Sequence, residues 1–141
     1  MPHRGVLIDS GPLVAILNER DEHYKVCLAE AKSLRGQFHT SWSVITEAAH
    51  LLKGQPAAVQ KLLAWIRTSE LRVLQLAKED TDGIGHILDR YADQGFDFAD
   101  ATLMHLSERE GMSTIFTIDH RHFFVFRAKH RRSLNIVPSV L

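Results

Sequence analysis

The chain has 141 residues, of which 45% are hydrophobic and 24% charged, and these values are typical of a globular protein and exclude a disordered one. Its 17 Lys and Arg balance 17 Asp and Glu, so no overall charge attracts a polyanion and any contact with nucleic acid needs a local patch. The length suits one hydrophobic core, and we expect residues 1–141 to form a single domain.

The single cysteine, Cys27, excludes an intramolecular disulfide and favours a reducing compartment. The residues before the first apolar run are too few for the apolar region of a signal peptide. No apolar stretch reaches the length that spans a membrane. We therefore expect a cytoplasmic protein without membrane contacts.

The first third of the chain predicts strands that alternate with helices. A β-branched apolar run ends at Asp9, Ser10 is a candidate N-cap, and Pro12 suits the first turn of a helix. The predicted elements are a strand at 6–8, helices at 13–17 and from about 21 or 23 to 36, and a brief strand at 38–40.

The middle third is mainly helical in pattern. Ser41 is a candidate cap for the third helix, and Pro56 opens the fourth. Gly83 and Gly85 weaken the first half of a later helical stretch. The predicted elements are helices over about 44–52 and 56–66, a strand at 71–76 and a helix over about 79–94.

The last third contains the clearest strand, at 113–118, after a helix that Asp97 caps at its start and Gly111 ends. The segment 120–126 is mixed, and an edge strand is expected at 134–137. Alternating strands and helices predict an α/β fold, in which a mainly parallel central sheet is covered by helices on both faces.

Four acidic residues lie where apolar runs give way to helix starts: Asp9, Glu47, Asp100 and Asp119. Because parallel strands end at one edge of a sheet, these carboxylates could converge there. Such a cluster is self-repelling, and a hard divalent cation resolves the repulsion. Thr117 lies on the same side of its strand as Asp119 and could hydrogen-bond a carboxylate, although a β-branched packing role explains it equally well.

Each acid also has a simpler structural explanation. Asp residues often start turns, and the N-terminus of a helix favours both Asp97 and Asp100. We expect Asp97 to be the cap and Asp100 to point into the site beside small alanines. Glu47 lies on a helix face that otherwise looks buried, so its charge needs a partner.

Other site types have little support. The chain has no nucleophile elbow at Ser10, no phosphate-binding loop, no His-Glu-x-x-His and no paired cysteines. His120 and His122 alone are a weak metal signal. A basic cluster near the C-terminus could face phosphates, or could be a solvated surface; it comprises Arg121, Arg127, Lys129, Arg131 and Arg132.

Together these motifs resemble the PIN-domain family, particularly its VapC-type toxins. The resemblance rests on Val-Leu-Ile-Asp9-Ser-Gly-Pro-Leu, on Glu47 in a central helix, on Asp97-Phe-Ala-Asp100-Ala and on Thr117-Ile-Asp119. It spans residues 6 to about 126, and the order and spacing of the motifs are more specific than any one of them.

The resemblance implies a PIN-like three-layer α/β/α sandwich and a Mg²⁺- or Mn²⁺-dependent ribonuclease of the toxin–antitoxin type. By position, Asp9, Glu47, Asp100 and Asp119 match the catalytic acids, and the first, third and fourth of them would bind metal. Ser10, Asp97 and Thr117 match supporting positions. The resemblance also implies a homodimer, an RNA substrate and a small antitoxin as partner.

From the residues, we expect the acids to position one or two ions that orient water for in-line attack on a phosphodiester. Three alternatives stay open at this point. A dehalogenase-like phosphatase is distant, because Gly11 stands where its second Asp would be. A DNA or flap nuclease of the same fold and a non-catalytic RNA- or protein-binding module are the other two.

Overall fold

The computed structural model describes residues 3–126 and 133–141. Within these ranges the strands are β1 (His3–Ile8), β2 (Phe38–Thr40), β3 (Leu71–Val73), β4 (Met112–Phe116) and β5 (Asn135–Val137). The helices are α1 (Ser10–Leu17), α2 (Tyr24–Ser33), α3 (Trp42–Leu51), α4 (Pro56–Arg67), α5 (Thr81–Arg90), α6 (Phe98–Glu110) and α7 (His120–Val125), with short 3₁₀ turns on either side of α5.

The sheet has five strands in the order β3-β2-β1-β4-β5, and every neighbouring pair is parallel. The chain first builds outward from β1 to β3 and then crosses back to place β4 on the other side of β1. The direction of sheet growth therefore reverses between β1 and β4. The predicted fold class, a three-layer α/β/α arrangement around a mainly parallel sheet, is confirmed.

Local sequence signals explain several helix boundaries. The Ser41 side chain caps α3 by accepting a hydrogen bond from the Val44 amide at 3.3 Å, as predicted. Gly111 ends α6 with a left-handed φ of 69°, which a residue with a Cβ adopts at a cost. The predicted N-cap of α1 is wrong: Asp9, and not Ser10, caps this helix, because its carboxylate accepts the Ser10 amide.

Several elements differ from the sequence predictions: β1 begins at His3 and not at residue 6, and β4 ends at Phe116 and not at residue 118. β3 ends at Val73 because its partner β2 ends at Thr40, and the last hydrogen bond between them runs from the Leu74 amide to the Thr40 carbonyl. α5 covers only Thr81–Arg90, and Gly95 has a left-handed φ just beyond the following turn. The mixed segment after Asp119 forms α7, which is anchored by the fully buried Phe123.

The core lies on and around the two central strands, where Leu7, Ile115 and Phe116 have no solvent exposure. Cys27 is buried with a free thiol, as its predicted place on a helix suggests. Leu13 of α1 is also a core residue. Within the described ranges, no helix is both long and apolar enough to cross a membrane.

The first turn of α1 packs closely against the loop between β4 and α7. A Cβ built on Gly11 would lie 2.5 Å from Cγ1 of Ile118, which is far inside van der Waals contact. Because Ile118 directly precedes Asp119, the absence of a side chain at Gly11 allows this loop to sit where it does.

We predict that Gly11→Ala lowers the free energy of unfolding by about 1–3 kcal/mol, because the new methyl group overpacks the contact with Ile118. Gly85→Ala in α5 is the matched control, since nothing lies within 4 Å of its added Cβ. The control should gain about 0.5–1 kcal/mol from helix propensity alone. Equal stability gains at both positions in denaturant unfolding would contradict the close packing at Gly11.

Candidate functional site

The site lies at the carboxyl ends of β1 and β4, where the direction of sheet growth reverses. Asp9 directly follows β1, and its amide donates to the Phe116 carbonyl of β4 at 2.9 Å. The Thr117 amide donates in turn to the Val137 carbonyl of β5 at 3.0 Å. Residues after adjacent parallel strands are thereby fixed side by side, in the crevice where open α/β sheets bind ligands.

Asp9 is nearly buried, with 6% of its surface exposed, and both of its carboxylate oxygens accept hydrogen bonds. Oδ1 accepts from the Ser10 amide at 2.8 Å, and Oδ2 accepts from the Thr117 hydroxyl at 2.9 Å. Burial raises the pKa of Asp9 to about 6; the two hydrogen bonds oppose this rise, and the nearby charges of Glu47 and Asp97 add to it.

Asp100 is also buried and is fixed by a reciprocal capping box at the start of α6. Its amide donates to Oδ1 of Asp97 at 2.8 Å, and the Asp97 amide donates to Oδ2 of Asp100 at 3.3 Å. Burial raises the pKa of Asp100 well above its usual range, and the charges of Asp9 and Asp97 raise it further. Three carboxylates therefore repel one another across this crevice.

Asp119 approaches Asp100 through a histidine that lies between them. Nδ1 of His122 lies 3.1 Å from Oδ2 of Asp100 and 3.0 Å from Oδ2 of Asp119. One ligand atom from each of these three residues falls within 4.8 Å of the others. The Asp119 amide donates to the Thr117 hydroxyl at 3.0 Å, so Thr117 supports Asp9 and Asp119 together.

Glu47 is half-buried on α3, and its Oε1 accepts a hydrogen bond from the Ser10 hydroxyl. This contact supplies the partner that its apolar surroundings required. Ser41 at the start of α3 lies 2.9 Å, hydroxyl to hydroxyl, from Thr102 of α6, where both side chains are fully buried. The helices that carry Glu47 and Asp100 are thus joined by a buried polar contact.

The donor set fits a divalent metal ion. Carboxylate oxygens dominate it, the buried acids repel one another, and a cation would relieve that repulsion. Asp100 and Asp119 each offer an oxygen, and His122 offers an imidazole nitrogen, with the three atoms within 4.8 Å of one another. Asp9 and Glu47 lie outside this group of ligand atoms within the described residues, although the charge of Asp9 acts on Asp100.

In the sequence His122 is only a weak metal signal, together with His120, but its Nδ1 lies between the carboxylates of Asp100 and Asp119. It lies three positions after Asp119, and this spacing puts both side chains on one face once the segment is helical. The predicted basic cluster is only partly described. Arg121 is exposed on α7, whereas Arg127, Lys129, Arg131 and Arg132 lie outside the described residues.

A family model described as PIN domain matches residues 6–128. Among solved structures, Mycobacterium tuberculosis VapC20, a sarcin–ricin loop cleaving toxin, is similar with a TM-score of 0.73 and 23% identity, over 82% of this chain and 90% of that chain. VapBC2 from Rickettsia felis, bound to a DNA fragment from its promoter, is similar with a TM-score of 0.60 and 15% identity, over 94% and 96%. At these identities the structural likeness concerns the fold. No curated protein matches the chain.

The raised pKa of Asp9 predicts how stability depends on pH without divalent ions. Because the folded pKa of about 6 exceeds the ordinary value of 3.8, this carboxyl disfavours folding progressively as the pH rises through that window. We expect Asp9→Asn to gain stability relative to the wild type between about pH 4 and 7, by on the order of 3 kcal/mol.

Urea unfolding of both proteins in chelator across that pH range measures this difference. Hydrogen bonds that change at the new Asn amide shift the stability difference by the same amount at every pH. The slope of that difference against pH is therefore the diagnostic quantity. Asp93→Asn, at an exposed position beyond α5, is the control and should show no such trend. A flat difference for Asp9→Asn would show that Asp9 is not destabilised as a buried charge.

Proposed function

The chain belongs to the PIN domain family, and we propose that it is a metal-dependent endoribonuclease of the VapC toxin type, which hydrolyses RNA phosphodiester bonds. The observation that carries the proposal is that Asp100 and Asp119 lie close together near the buried Asp9. They lie at the sheet edge where the direction of growth reverses between β1 and β4. Crowded, ionisable carboxylates at such an edge are poised for a divalent cation and a phosphate ester.

We assign metal binding to Asp9, Asp100 and Asp119. The ligand atoms of Asp100 and Asp119 lie within 4.8 Å of each other, and Asp9 adds its carboxylate and its charge from the adjacent strand end. The metal is Mg²⁺ or Mn²⁺, and when bound it supplies an oriented water and neutralises charge on the phosphodiester and its leaving oxygen. Ser10 and Thr117 orient carboxylates through their hydroxyl groups, and Asp97 fixes Asp100 through the capping box.

Glu47 is the group that we assign to proton transfer. Its Oε1 is held by the Ser10 hydroxyl, which fixes the carboxylate beside the crevice and leaves its other oxygen uncommitted to that contact. A carboxylate within reach of the attacking water can accept its proton as the phosphodiester is cleaved. The four catalytic acids are therefore Asp9, Glu47, Asp100 and Asp119.

The partners are also part of the proposal. We infer an RNA substrate from the family and from the divalent ion that the acidic crevice would hold, and a cognate antitoxin and a homodimeric state from the resemblance to VapC-type toxins. The protein would then act in the cytoplasm as a single PIN domain over residues 1–141.

We predict that Asp100→Asn and Asp119→Asn each lower the rate of RNA cleavage at least about a hundredfold, since loss of a metal ligand should cost more than loss of its outer-shell support. Asp93→Asn keeps the parent rate because the exposed Asp93 lies on the turn beyond α5. Single-turnover cleavage of a labelled RNA in Mg²⁺ or Mn²⁺ measures this, with EDTA added to abolish it.

The same assay separates the alternatives. Faster cleavage of single-stranded or flap DNA than of RNA of the same sequence would identify a DNA nuclease instead. Cleavage by both Asn variants at the parent rate, with their folding intact, would rule out the acidic site. The absence of cleavage and of any stabilisation by Mg²⁺ or Mn²⁺ would favour a binding module.

A further inference from the structure

His122 lies between two carboxylates that come from different parts of the chain. Its Nδ1 lies 3.1 Å from Oδ2 of Asp100, on α6, and 3.0 Å from Oδ2 of Asp119, which precedes α7. The His122 side chain is one-quarter exposed, so it borders the crevice and is not a core residue. The imidazole is one of the candidate ligand groups of the crevice, but the proposed function gives it no role.

The fold holds the ring in this position from two sides. Phe123, the next residue, has no solvent exposure and anchors α7 in the core. The ring of Phe96 meets the imidazole edge-on, with ring centroids 5.2 Å apart. The Asp119 backbone amide is tied to the Thr117 hydroxyl, and Asp100 is tied to Asp97, so the residues on both sides of Nδ1 are anchored.

The spacing of these three atoms matches the ligands of one ion. Neighbouring ligands of an octahedral ion with bonds of 2.0–2.1 Å lie about 3 Å apart. The two oxygen–nitrogen distances at His122 have this value, and all three ligand atoms lie within 4.8 Å of one another. A neutral imidazole with its proton on Nε2 presents the Nδ1 lone pair to the point between the carboxylates.

We propose that His122 is a direct metal ligand beside Asp100 and Asp119, and that its nitrogen makes the site select Mn²⁺ over Mg²⁺. The inference rests on the proposed metal-dependent function and deepens it. Imidazole suits transition metals, whereas Mg²⁺ prefers oxygen ligands and keeps several of its waters. A site of carboxylates alone would lack this means of discrimination.

In the competing role, His122 pairs with the two carboxylates and does not bind the metal. In that case the imidazole occupies the crevice only without a metal and leaves when the ion binds. The two roles predict opposite results for a substitution that keeps a polar atom near Nδ1 but removes the nitrogen donor. His122→Asn meets this condition, because its side-chain oxygen can take the place of Nδ1 as an oxygen donor.

The test compares wild type, His122→Asn and the matched control His86→Asn, which replaces an exposed histidine of α5. Titration calorimetry of the purified proteins gives Kd for Mn²⁺ and for Mg²⁺. Electron spin echo spectroscopy of the Mn²⁺-loaded proteins reports whether ¹⁴N is bound to the ion. We expect a ¹⁴N coupling in wild type and in His86→Asn, and its loss in His122→Asn.

The ratio of the Mg²⁺ Kd to the Mn²⁺ Kd should fall at least about tenfold in His122→Asn, in line with the dependence of affinity on donor type. Circular dichroism and metal-free unfolding establish that the variant is folded. A persistent ¹⁴N coupling, or an unchanged ratio, would overturn the proposal for His122.

Different results would overturn the assignment of His122 as a ligand and the proposed metal-dependent ribonuclease function. If His122→Asn keeps both its selectivity and its metal-dependent RNA cleavage, His122 is not a ligand but the ribonuclease assignment stands. If the wild type binds neither ion, both the ligand assignment and metal dependence are wrong. Loss of binding in Asp100→Asn, measured beside His122→Asn, locates the titrated ion in the crevice.

Discussion

The mutual repulsion of buried carboxylates at one edge of the sheet is the constraint on which the rest of the site depends. The charge of Asp9 raises the pKa of Asp100, and burial disfavours the ionised form of each. Much of the polar structure around them counters this cost. The Ser10 amide and Thr117 hydroxyl hold Asp9, and Asp97 fixes Asp100, so the acids are presented in a fixed geometry.

The sheet topology explains why the acids meet at all. β1 and β4 are far apart in sequence but adjacent and parallel in space, so the residues after them emerge together. The same crossing joins α1 to the loop before α7 through the contact between Gly11 and Ile118. The pairing of β1 with β4 and the close approach of Gly11 to Ile118 therefore both position the site and hold the fold together.

Much of this could be predicted from sequence, because the relevant signals are local. The α/β class follows from alternating patterns, and residue type and position are enough to indicate Ser41 and Asp97 as caps. The convergence of Asp9 and Asp119 at one edge followed from the rule that parallel strands end together. The contacts of Ser10 with Glu47 and of Ser41 with Thr102 join distant segments, so no local pattern encodes them.

His122 shows where local reasoning stops. Its signal, a histidine three residues after an acid, acquires meaning only once residues 120–125 are known to be helical. The pattern of that segment is mixed and does not predict a helix, since the helix is short and is stabilised by the burial of Phe123, a tertiary effect. Asp9 likewise looked like a strand end and proved also to be the cap of the following helix.

The central claim is that a divalent ion binds between Asp100 and Asp119, at the edge where the direction of sheet growth reverses. A crystal structure of the protein grown with Mn²⁺, with anomalous differences collected near the manganese absorption edge, tests it most directly. The account predicts an anomalous peak within bonding distance of both carboxylates. Clear electron density for an ordered crevice without an anomalous peak, or manganese bound only elsewhere on the protein, would contradict it.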